Sequence, residues 1–222
     1  MKLPNLTAEF RAARPFPHMI IDDLFDRSLT TAAAAEVPRA KDRRWTARRN
    51  KVDSKLPPKL GIDNLKRFRT LARIVKAMTS PEFVDWLRET SGIENLIADT
   101  TLAGAGLHGV QPGGLLGMHV DFDRLGPLYR RLNAFVYLNP EWEIGWGGAL
   151  ELRGQGHPSV IIPPVLGRFV AFETSERSWH GHPYPLECPK NRLRASLAVY
   201  YYTAERPDWF IEDHSTIYKD MP

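Results

Sequence analysis

The sequence predicts an all-β core with flanking helices (α+β): a jelly roll, or double-stranded β-helix, with N-terminal helices packed on one sheet. Two observations predict this fold class. From Thr101 onward, short β-type runs alternate with glycine and proline, a spacing typical of sandwiches and barrels. Before that point the chain shows helical periodicity, and its apolar stripes supply the face that packing on a sheet requires.

The first half of the chain contains the predicted helices. Phe16–Phe25 begins as a strand and ends at acidic residues suited to a helix start. The alanine-rich stretch Ser28–Glu36 is predicted to be a helix. Gly61–Met78 is predicted to be a second helix, because its apolar residues recur at helical spacing. A third helix is expected from an N-cap at Ser80, with proline at the first helical position, to about Gly92.

The second half contains the predicted strands. A jelly roll of about eight strands protects its sheet edges by packing two sheets together. The β-type runs that would form these sheets are Thr101–Val110, Leu115–Val120, Leu132–Leu138, Ala149–Leu152, Val160–Ile162, Arg168–Phe172 and Leu193–Tyr202.

Two of these runs have one apolar face and one mixed face. In Arg131–Asn139 the mixed face includes Tyr137, and in Leu193–Tyr202 it includes Arg194 and Ser196. Such a strand is either half exposed or lines a polar cavity. An arginine beside a small hydroxyl residue suits a carboxylate ligand, because the planar guanidinium binds both oxygens at once.

Composition sets the broad class. The 222 residues allow one domain with a proper core. The 30 Lys and Arg exceed the 26 Asp and Glu by too little to indicate a nucleic-acid partner. No apolar run is long enough to span a bilayer, and no signal-peptide core is seen, so no membrane partner is expected. The single cysteine, Cys188, excludes an internal disulfide, so a cytoplasmic location is expected.

Much of the basic excess lies in Lys41–Lys51, which reads KDRRWTARRNK. One interpretation is a surface for an acidic substrate or for nucleic acid. The other is a solvated loop whose Trp45 caps the core, and this interpretation is favoured. A second basic segment, the loop Asp123–Arg130, either attracts an anionic group or is solvated.

The pair His119 and Asp121, followed later by His180, is the most informative pattern. Alternation along a strand places the first two side chains on one face, where both reach one ion. Two imidazoles and one carboxylate form the ligand set of mononuclear non-haem Fe(II) oxygenases. By itself the His-x-Asp pattern is weak, and His182 competes with His180 because both lie on one face of an extended segment. Arg192 competes in the same way with Arg194. For Tyr137 the alternative interpretation is an aromatic residue of the core whose hydroxyl has a hydrogen-bond partner.

The order of these residues resembles a known family. The segments HVDFDRLGPLYRRLNAFVYLNPEWEIGWGGALEL, RFVAFETSERSWHGHP and NRLRASLAVYYYT look like the catalytic core of the 2-oxoglutarate/Fe(II)-dependent dioxygenases, in the prolyl-4-hydroxylase-like branch. The resemblance covers roughly the second half of the chain. Similar Trp-His-Gly segments in the family favour His180 over His182, and the alternating strand that follows Arg194 favours it over Arg192.

The resemblance implies a role for each matched residue. His119, Asp121 and His180 would hold Fe(II), and 2-oxoglutarate and O2 would be cosubstrates, with ascorbate as a supporting reductant. Related halogenases lack the metal-binding carboxylate, so its presence favours hydroxylation.

2-Oxoglutarate is expected to extend from the metal to the strand that contains Arg194. Arg194 would bind the far carboxylate of 2-oxoglutarate, and Tyr137 would donate a hydrogen bond to it. Ser196 is a further candidate for the same carboxylate, and Tyr200 would lie near the metal.

The implied function is that of a dioxygenase that hydroxylates an unactivated C–H bond of an aminoacyl residue, a free amino acid or a biosynthetic small molecule, with release of succinate and CO2. The alternative is a non-catalytic jelly-roll binding module that retains a metal. The partner is expected to be a small-molecule or peptidyl substrate. A single domain is expected over 1–222, with mainly helical support in 1–97, the catalytic jelly roll in 98–204 and a tail in 205–222.

Overall fold

The computed structural model describes residues 1–218, which form two β-sheets and four α-helices. The helices are α1 (Thr7–Ala12), α2 (Arg27–Ala35), α3 (Arg69–Met78) and α4 (Pro81–Ser91). The strands are β1 (His18–Ile21), β2 (Thr46–Arg48), β3 (Lys59–Ile62), β4 (Ile97–Ala98), β5 (Gly106–Val110), β6 (Leu116–Val120), β7 (Arg124–Leu125), β8 (Leu128–Tyr137), β9 (Leu150–Arg153), β10 (Val160–Ile162), β11 (Phe169–Glu173), β12 (Trp179–His182), β13 (Arg194–Thr203) and β14 (Ile217–Tyr218).

The two sheets confirm the predicted jelly roll. The larger sheet has nine strands with the main order β1-β11-β8-β13-β5-β3-β2, while β4 pairs with β13 and β7 pairs with β8. The smaller sheet has five strands in the order β10-β9-β12-β6-β14. All pairs are antiparallel. The segment 1–97 therefore contributes β1, β2 and β3 to the larger sheet as well as the helices that support it.

The helices cover one face of the nine-stranded sheet, as predicted. Phe83 of α4 lies 5.9 Å, between ring centroids, from Phe169 of β11, and Trp86 lies 6.2 Å from the same ring. The hydroxyl of Tyr201 in β13 donates to the carbonyl of Met78 at the end of α3 (2.7 Å). The apolar face of β13 therefore packs on the helices, and its mixed face is left for the interior between the sheets. Among the described residues, no helix combines the length and the apolar character needed to cross a membrane.

Helix α4 forms where its sequence signals predict it. The hydroxyl of Ser80 accepts the backbone N–H of Phe83, and Pro81 occupies the first turn. The start of a helix leaves backbone N–H groups without partners inside the helix. Ser80 accepts one of them, and Pro81 has no N–H group that needs a partner. Gly92 ends the helix with φ 74°, a left-handed conformation that glycine adopts without strain. The predicted helix over Ser28–Glu36 is also confirmed as α2.

The predicted helix over Gly61–Met78 is wrong in its first part. Lys59–Ile62 is strand β3, which pairs with β5, and α3 begins only at Arg69. Backbone pairing with a distant strand overrides the local helical spacing, because a sheet edge offers N–H and C=O partners that a short helix would lack. The start of α3 is capped from a distance: the carboxylate of Glu36 accepts the backbone N–H groups of Thr70 and Leu71.

Two further predictions needed adjustment. Thr101–Val110 becomes a strand only from Gly106, because the carboxylate of Asp99 accepts the N–H groups of Thr101 and Ala103 and holds a turn there. The tail predicted over 205–222 is partly strand, since Ile217 and Tyr218 pair with β6. Residues 219–222 of that tail lie outside the described residues.

Candidate metal centre

The three candidate metal ligands converge at the smaller sheet. His119 lies in β6, Asp121 follows that strand directly, and His180 of β12 pairs opposite His119. One ligand atom from each residue lies within 4.8 Å of the other two. The Nε2 atom of His119 is 3.6 Å from Oδ1 of Asp121, and Nε2 of His180 is 3.4 Å from Oδ2. Three donors from two distant parts of the chain therefore surround one point.

The second nitrogen of each imidazole is already bound. Nδ1 of His119 donates to the carbonyl of Gly117 (2.9 Å), and Nδ1 of His180 donates to the carbonyl of Ser178 (2.8 Å). A carbonyl can only accept, so the proton sits on Nδ1 and the lone pair of Nε2 points toward Asp121. Such carbonyl contacts are the usual support of metal-binding histidines. Burial and the neighbouring His119 lower the pKa of His180 to about 3, which keeps it in the neutral form that a metal requires.

Asp121 is held ionised by a buried cation. Burial alone would raise the pKa of this carboxyl, but the guanidinium of Arg130 holds the pKa well below its usual value. The Nη2 atom of Arg130 lies 2.9 Å from Oδ2 of Asp121, and Nδ2 of Asn133 lies 3.3 Å from the same oxygen. The donor set fits a divalent cation, because the only ionised ligand is kept charged and oriented before any ion arrives.

Arg130 contradicts the prediction that the loop Asp123–Arg130 carries solvated or anion-attracting arginines. Its side chain is fully buried. The guanidinium carbon lies 3.5 Å from the ring centroid of Tyr200 and 4.5 Å from that of Phe122. The aromatic faces replace the water that the cation loses, and Asp121 balances its charge.

A cavity of about 70 Å³ adjoins the three ligands and is called here the inner cavity. Arg194 of β13 lies in its wall, where Nε donates to the carbonyl of Gly148 and Nη2 donates to the hydroxyl of Tyr137 (2.9 Å). Ser196 stands directly opposite Tyr137 in the adjacent strand and lines the same cavity. Burial raises the pKa of Tyr137 and lowers that of Arg194. The remaining guanidinium hydrogens are available to a carboxylate.

The competing residues are separated by the structure. Arg192 is not in the inner cavity; its guanidinium lies 3.3 Å from the carboxylate of Glu141 on the surface. His182 does line the cavity but does not join the group of three ligands. The pairing register shifts between His180 and His182, which face His119 and Leu116 respectively. The shift leaves only His180 beside the other two ligands.

Two basic residues of the inner cavity have no counterpart in the sequence-based site. His108 and Lys59 line it together with His182, the competitor of His180. Nε2 of His108 bonds to the carbonyl of Gly104 (3.0 Å), whereas both ring nitrogens of His182 are buried without a hydrogen-bond partner. Alternation within β5 could have placed His108 on the face of Arg194 and Ser196, but nothing in the sequence shows that β3 and β5 are neighbours.

A second cavity, of about 350 Å³, adjoins the same ligands and is called the outer cavity. His119, Asp121 and Tyr200 line both cavities. The basic segment Lys41–Lys51 was expected to be a solvated loop, but it contains strand β2, and Arg48, Arg49, Asn50 and Lys51 line the outer cavity. The other part of that expectation is confirmed, since Trp45 is buried in the core.

Residues 105–202 match the family model of the 2OG-Fe(II) oxygenase superfamily. The match spans the candidate ligands, Tyr137, Arg194 and Ser196. No curated protein sequence matches this chain.

Solved structures of low sequence identity share the fold. A prolyl-4-hydroxylase from Pseudomonas putida is 18% identical over 90% of this chain and 98% of that chain, with a TM-score of 0.65. A prolyl hydroxylase from Trichoplax adhaerens, solved with a hypoxia inducible factor peptide fragment, is 17% identical over 89% and 88%, with a TM-score of 0.58. The non-heme α-ketoglutarate-dependent epimerase SnoN from nogalamycin biosynthesis is 12% identical over 96% and 94%, with a TM-score of 0.57. At these identities the likeness shows the fold alone, and that fold hosts more than one reaction.

Proposed function

We propose, from the match of residues 105–202 to the family model of the 2OG-Fe(II) oxygenase superfamily, that the chain is a 2-oxoglutarate-dependent hydroxylase whose Fe(II) is held by His119, Asp121 and His180. One observation carries the proposal. Both imidazoles present an Nε2 lone pair to the same carboxylate because their Nδ1 atoms are bound to carbonyl groups. Two buried histidines that only filled space in the core would not require Nε2 of both rings to face the same ionised aspartate.

When bound, Fe(II) and 2-oxoglutarate would supply an oxidant that inserts an oxygen atom into a C–H bond, with release of succinate and CO2. The role of this chain is to bind, orient and exclude water. Arg194 binds the far carboxylate of 2-oxoglutarate, and the Tyr137 hydroxyl, already in contact with that guanidinium, helps to position it. Ser196 lies opposite Tyr137 and adds a third donor.

Apolar side chains also line the inner cavity. Phe135, Leu150 and Ala198 line it and are buried. Their walls limit the water that reaches the metal position, so that a reactive oxidant meets substrate rather than solvent. With only three protein ligands, a bound Fe(II) would have coordination positions left for the cosubstrates.

Asp121 supports hydroxylation as the outcome. Its carboxylate occupies the third ligand position, and Arg130 and Asn133 hold it there. A halide has no room at a position that a carboxylate fills. The substrate class remains that of the sequence-based interpretation: an aminoacyl residue, a free amino acid or a biosynthetic small molecule. The peptide bound by the Trichoplax protein supports an aminoacyl group, and the single cysteine supports a reducing, cytoplasmic location.

The test combines metal binding with turnover. Anaerobic titration of the metal-free protein with Fe(II) should show one tight site, and 2-oxoglutarate should then bind to the loaded protein. With O2 admitted, the loaded protein should release succinate slowly without substrate, and ascorbate should prolong that release. Candidate substrates are then screened for faster succinate release and for a product heavier by one oxygen atom. A protein that binds Fe(II) but never releases succinate would be a binding module, and the hydroxylase proposal would be abandoned.

A further inference from the structure

Two cations face each other across the hairpin formed by β2 and β3. Arg48 of β2 lies directly opposite Lys59 of β3, and residues directly opposite in an antiparallel pair project from the same face. Like charges in this arrangement destabilise a hairpin. Among residues 1–218, no carboxylate forms an ion pair with either side chain, and neither side chain has a hydrogen-bond partner. The hairpin therefore keeps an unbalanced pair of charges.

Both cations line the outer cavity, beside the candidate metal ligands. Arg49 and Lys51 add two more positive charges to the same lining. Within residues 1–218, Asp121 is the only acidic residue of the lining, and it is already paired with Arg130. The described part of the lining therefore carries an excess of positive charge beside the candidate metal ligands.

Lys59 is the inner member of the pair. It is half-buried and lines both cavities, whereas Arg48 is exposed at the outer one. Burial lowers the pKa of Lys59 to about 8, and Arg48, Arg130 and Arg194 contribute to the same effect while Asp121 opposes it. A cation that has lost hydration and sits near other cations is stabilised strongly by an oxyanion, since charge-assisted hydrogen bonds are about twice as strong as neutral ones.

We propose that Arg48 and Lys59 bind an oxyanion of the substrate, a carboxylate or a phosphate group, in the outer cavity. The enzyme would then act on an anionic small molecule, and an uncharged residue in the middle of a peptide would be a poor substrate. A cavity of about 350 Å³ is of the size that small-molecule sites have. The catalytic consequence rests on the proposed function, whereas anion binding does not, so the two are tested separately.

The first experiment measures anion binding alone. The protein is loaded with Fe(II) and just-saturating 2-oxoglutarate without oxygen, and its melting temperature is followed against acetate or methyl phosphate at constant ionic strength. A bound anion raises the melting temperature in a saturable way. We expect the dissociation constant for at least one probe to rise about tenfold in Arg48→Gln and in Lys59→Met, since one charge-assisted bond is lost in each. The better probe identifies the source as carboxylate or phosphate.

The matched control is Arg43→Gln, which removes the same charge from the same basic segment but not from the outer cavity. It should bind the probes as the parent does. The test variants should fold, because each removes one member of a like-charge pair. Without a probe, Lys59→Met should melt no lower than the parent protein. Equal probe affinity in all four proteins, or no saturable effect in the parent, would overturn the proposal.

The second experiment separates this site from that of the cosubstrate. The affinity for 2-oxoglutarate is measured by calorimetry in the parent, Lys59→Met and Arg43→Gln. Loss of 2-oxoglutarate affinity in Lys59→Met, with probe binding unchanged, would assign the cation pair to the cosubstrate and overturn the proposal. Probe binding in a protein that takes up no Fe(II) would leave the anion site standing and remove the hydroxylase function instead.

Discussion

The inner and outer cavities share His119 and Asp121 as a common wall but differ in how their charges are balanced. In the inner cavity, Asp121 is paired with Arg130, and Arg194 is bound to Tyr137 and a backbone carbonyl. These side chains are held before any ligand arrives. Such preorganisation is what a site needs when its chemistry uses the same cosubstrate in every turnover.

The outer cavity is unbalanced. Arg48 and Lys59 repel each other, and Arg48 belongs to a strand of three exposed residues. The comparison indicates that the two cavities have different roles. The buried strands carry the residues that bind the metal and the cosubstrate, and the exposed hairpin of β2 and β3 selects the substrate. Changes of Asp121, Arg130 or Arg194 should therefore cost stability, metal binding or cosubstrate binding, whereas changes of Arg48 or Lys59 should weaken the binding of the substrate anion.

The largest effect is expected from breaking the buried ion pair. Arg130→Met leaves the Asp121 carboxylate buried without a cation, which should lower the free energy of unfolding of the metal-free protein by about 3–5 kcal/mol. Fe(II) should reduce that loss, because the ion replaces the missing positive charge. Denaturant unfolding with and without Fe(II) measures both. Arg124→Met, which removes an exposed ion pair with Asp213, should lower the free energy of unfolding far less. An equal loss in the two variants would show that burial does not make the Arg130–Asp121 pair more important to stability than a surface pair.

The next effect is loss of the metal. Asp121→Ala should weaken Fe(II) binding by at least about 100-fold, because removal of a ligand exceeds the usual effect of its supporting partners. Asp121→Asn keeps the side-chain volume beside Arg130 and should show the same loss in a folded protein. Anaerobic titration and succinate release are the measurements, with the exposed Asp63→Ala as control. Full iron uptake by Asp121→Asn would refute the proposed ligand set.

A smaller effect is expected at the other side of the inner cavity. Arg194→Gln should weaken 2-oxoglutarate binding by roughly tenfold to 100-fold, the range for a lost hydrogen bond to a charged group. Fe(II) uptake should be unchanged, because Arg194 is not a candidate ligand. Arg192→Gln is the matched control, two residues earlier in the chain and on the surface. Calorimetry that showed the larger loss in Arg192→Gln would exchange the roles of the two arginines.

The smallest effect is a pH dependence confined to the outer cavity. The pKa of Lys59 is lowered to about 8, so its ammonium is present at pH 7 and largely lost at pH 9. Acetate remains ionised throughout, and its affinity should fall roughly tenfold over that interval. The titratable or charged groups that line either cavity together with Lys59 are Arg48, Arg49, Lys51, His108, His119, Asp121, Tyr137, His180, His182, Arg194, Tyr200 and Tyr218. Lys59→Met should show a flat profile, and the same slope in that variant would assign the titration to another group.

Local patterns predicted most of the regular structure. Val160–Ile162 is a strand with the expected bounds, and α4 begins at its predicted cap. Both depend on nearby residues: alternation in one and an N-cap followed by proline in the other. The failure at Gly61–Met78 has the opposite cause, since β3 exists only because β5 lies beside it. No signal within that segment shows its distant partner.

The candidate site likewise has features that local patterns predicted and features that they did not. The order of His119, Asp121, His180 and Arg194 could be predicted, because residue type and strand alternation are local properties. The burial of Arg130 could not, because nothing in its segment shows that two aromatic rings and a carboxylate enclose it. The same limit hid the cavity-lining roles of the residues on β3 and β5.

The amino-acid sequence by itself determined the chemistry available to this protein: two imidazoles, one carboxylate and one guanidinium in strands with a polar face. Residue type and alternation alone left both His180 and His182 open, and the tertiary structure decided between them and decided which cations remain unbalanced. The physical reason is strand register. Placing His180 opposite His119, and Arg48 opposite Lys59, depends on pairing between segments, and a shift of one residue would turn each side chain to the other face.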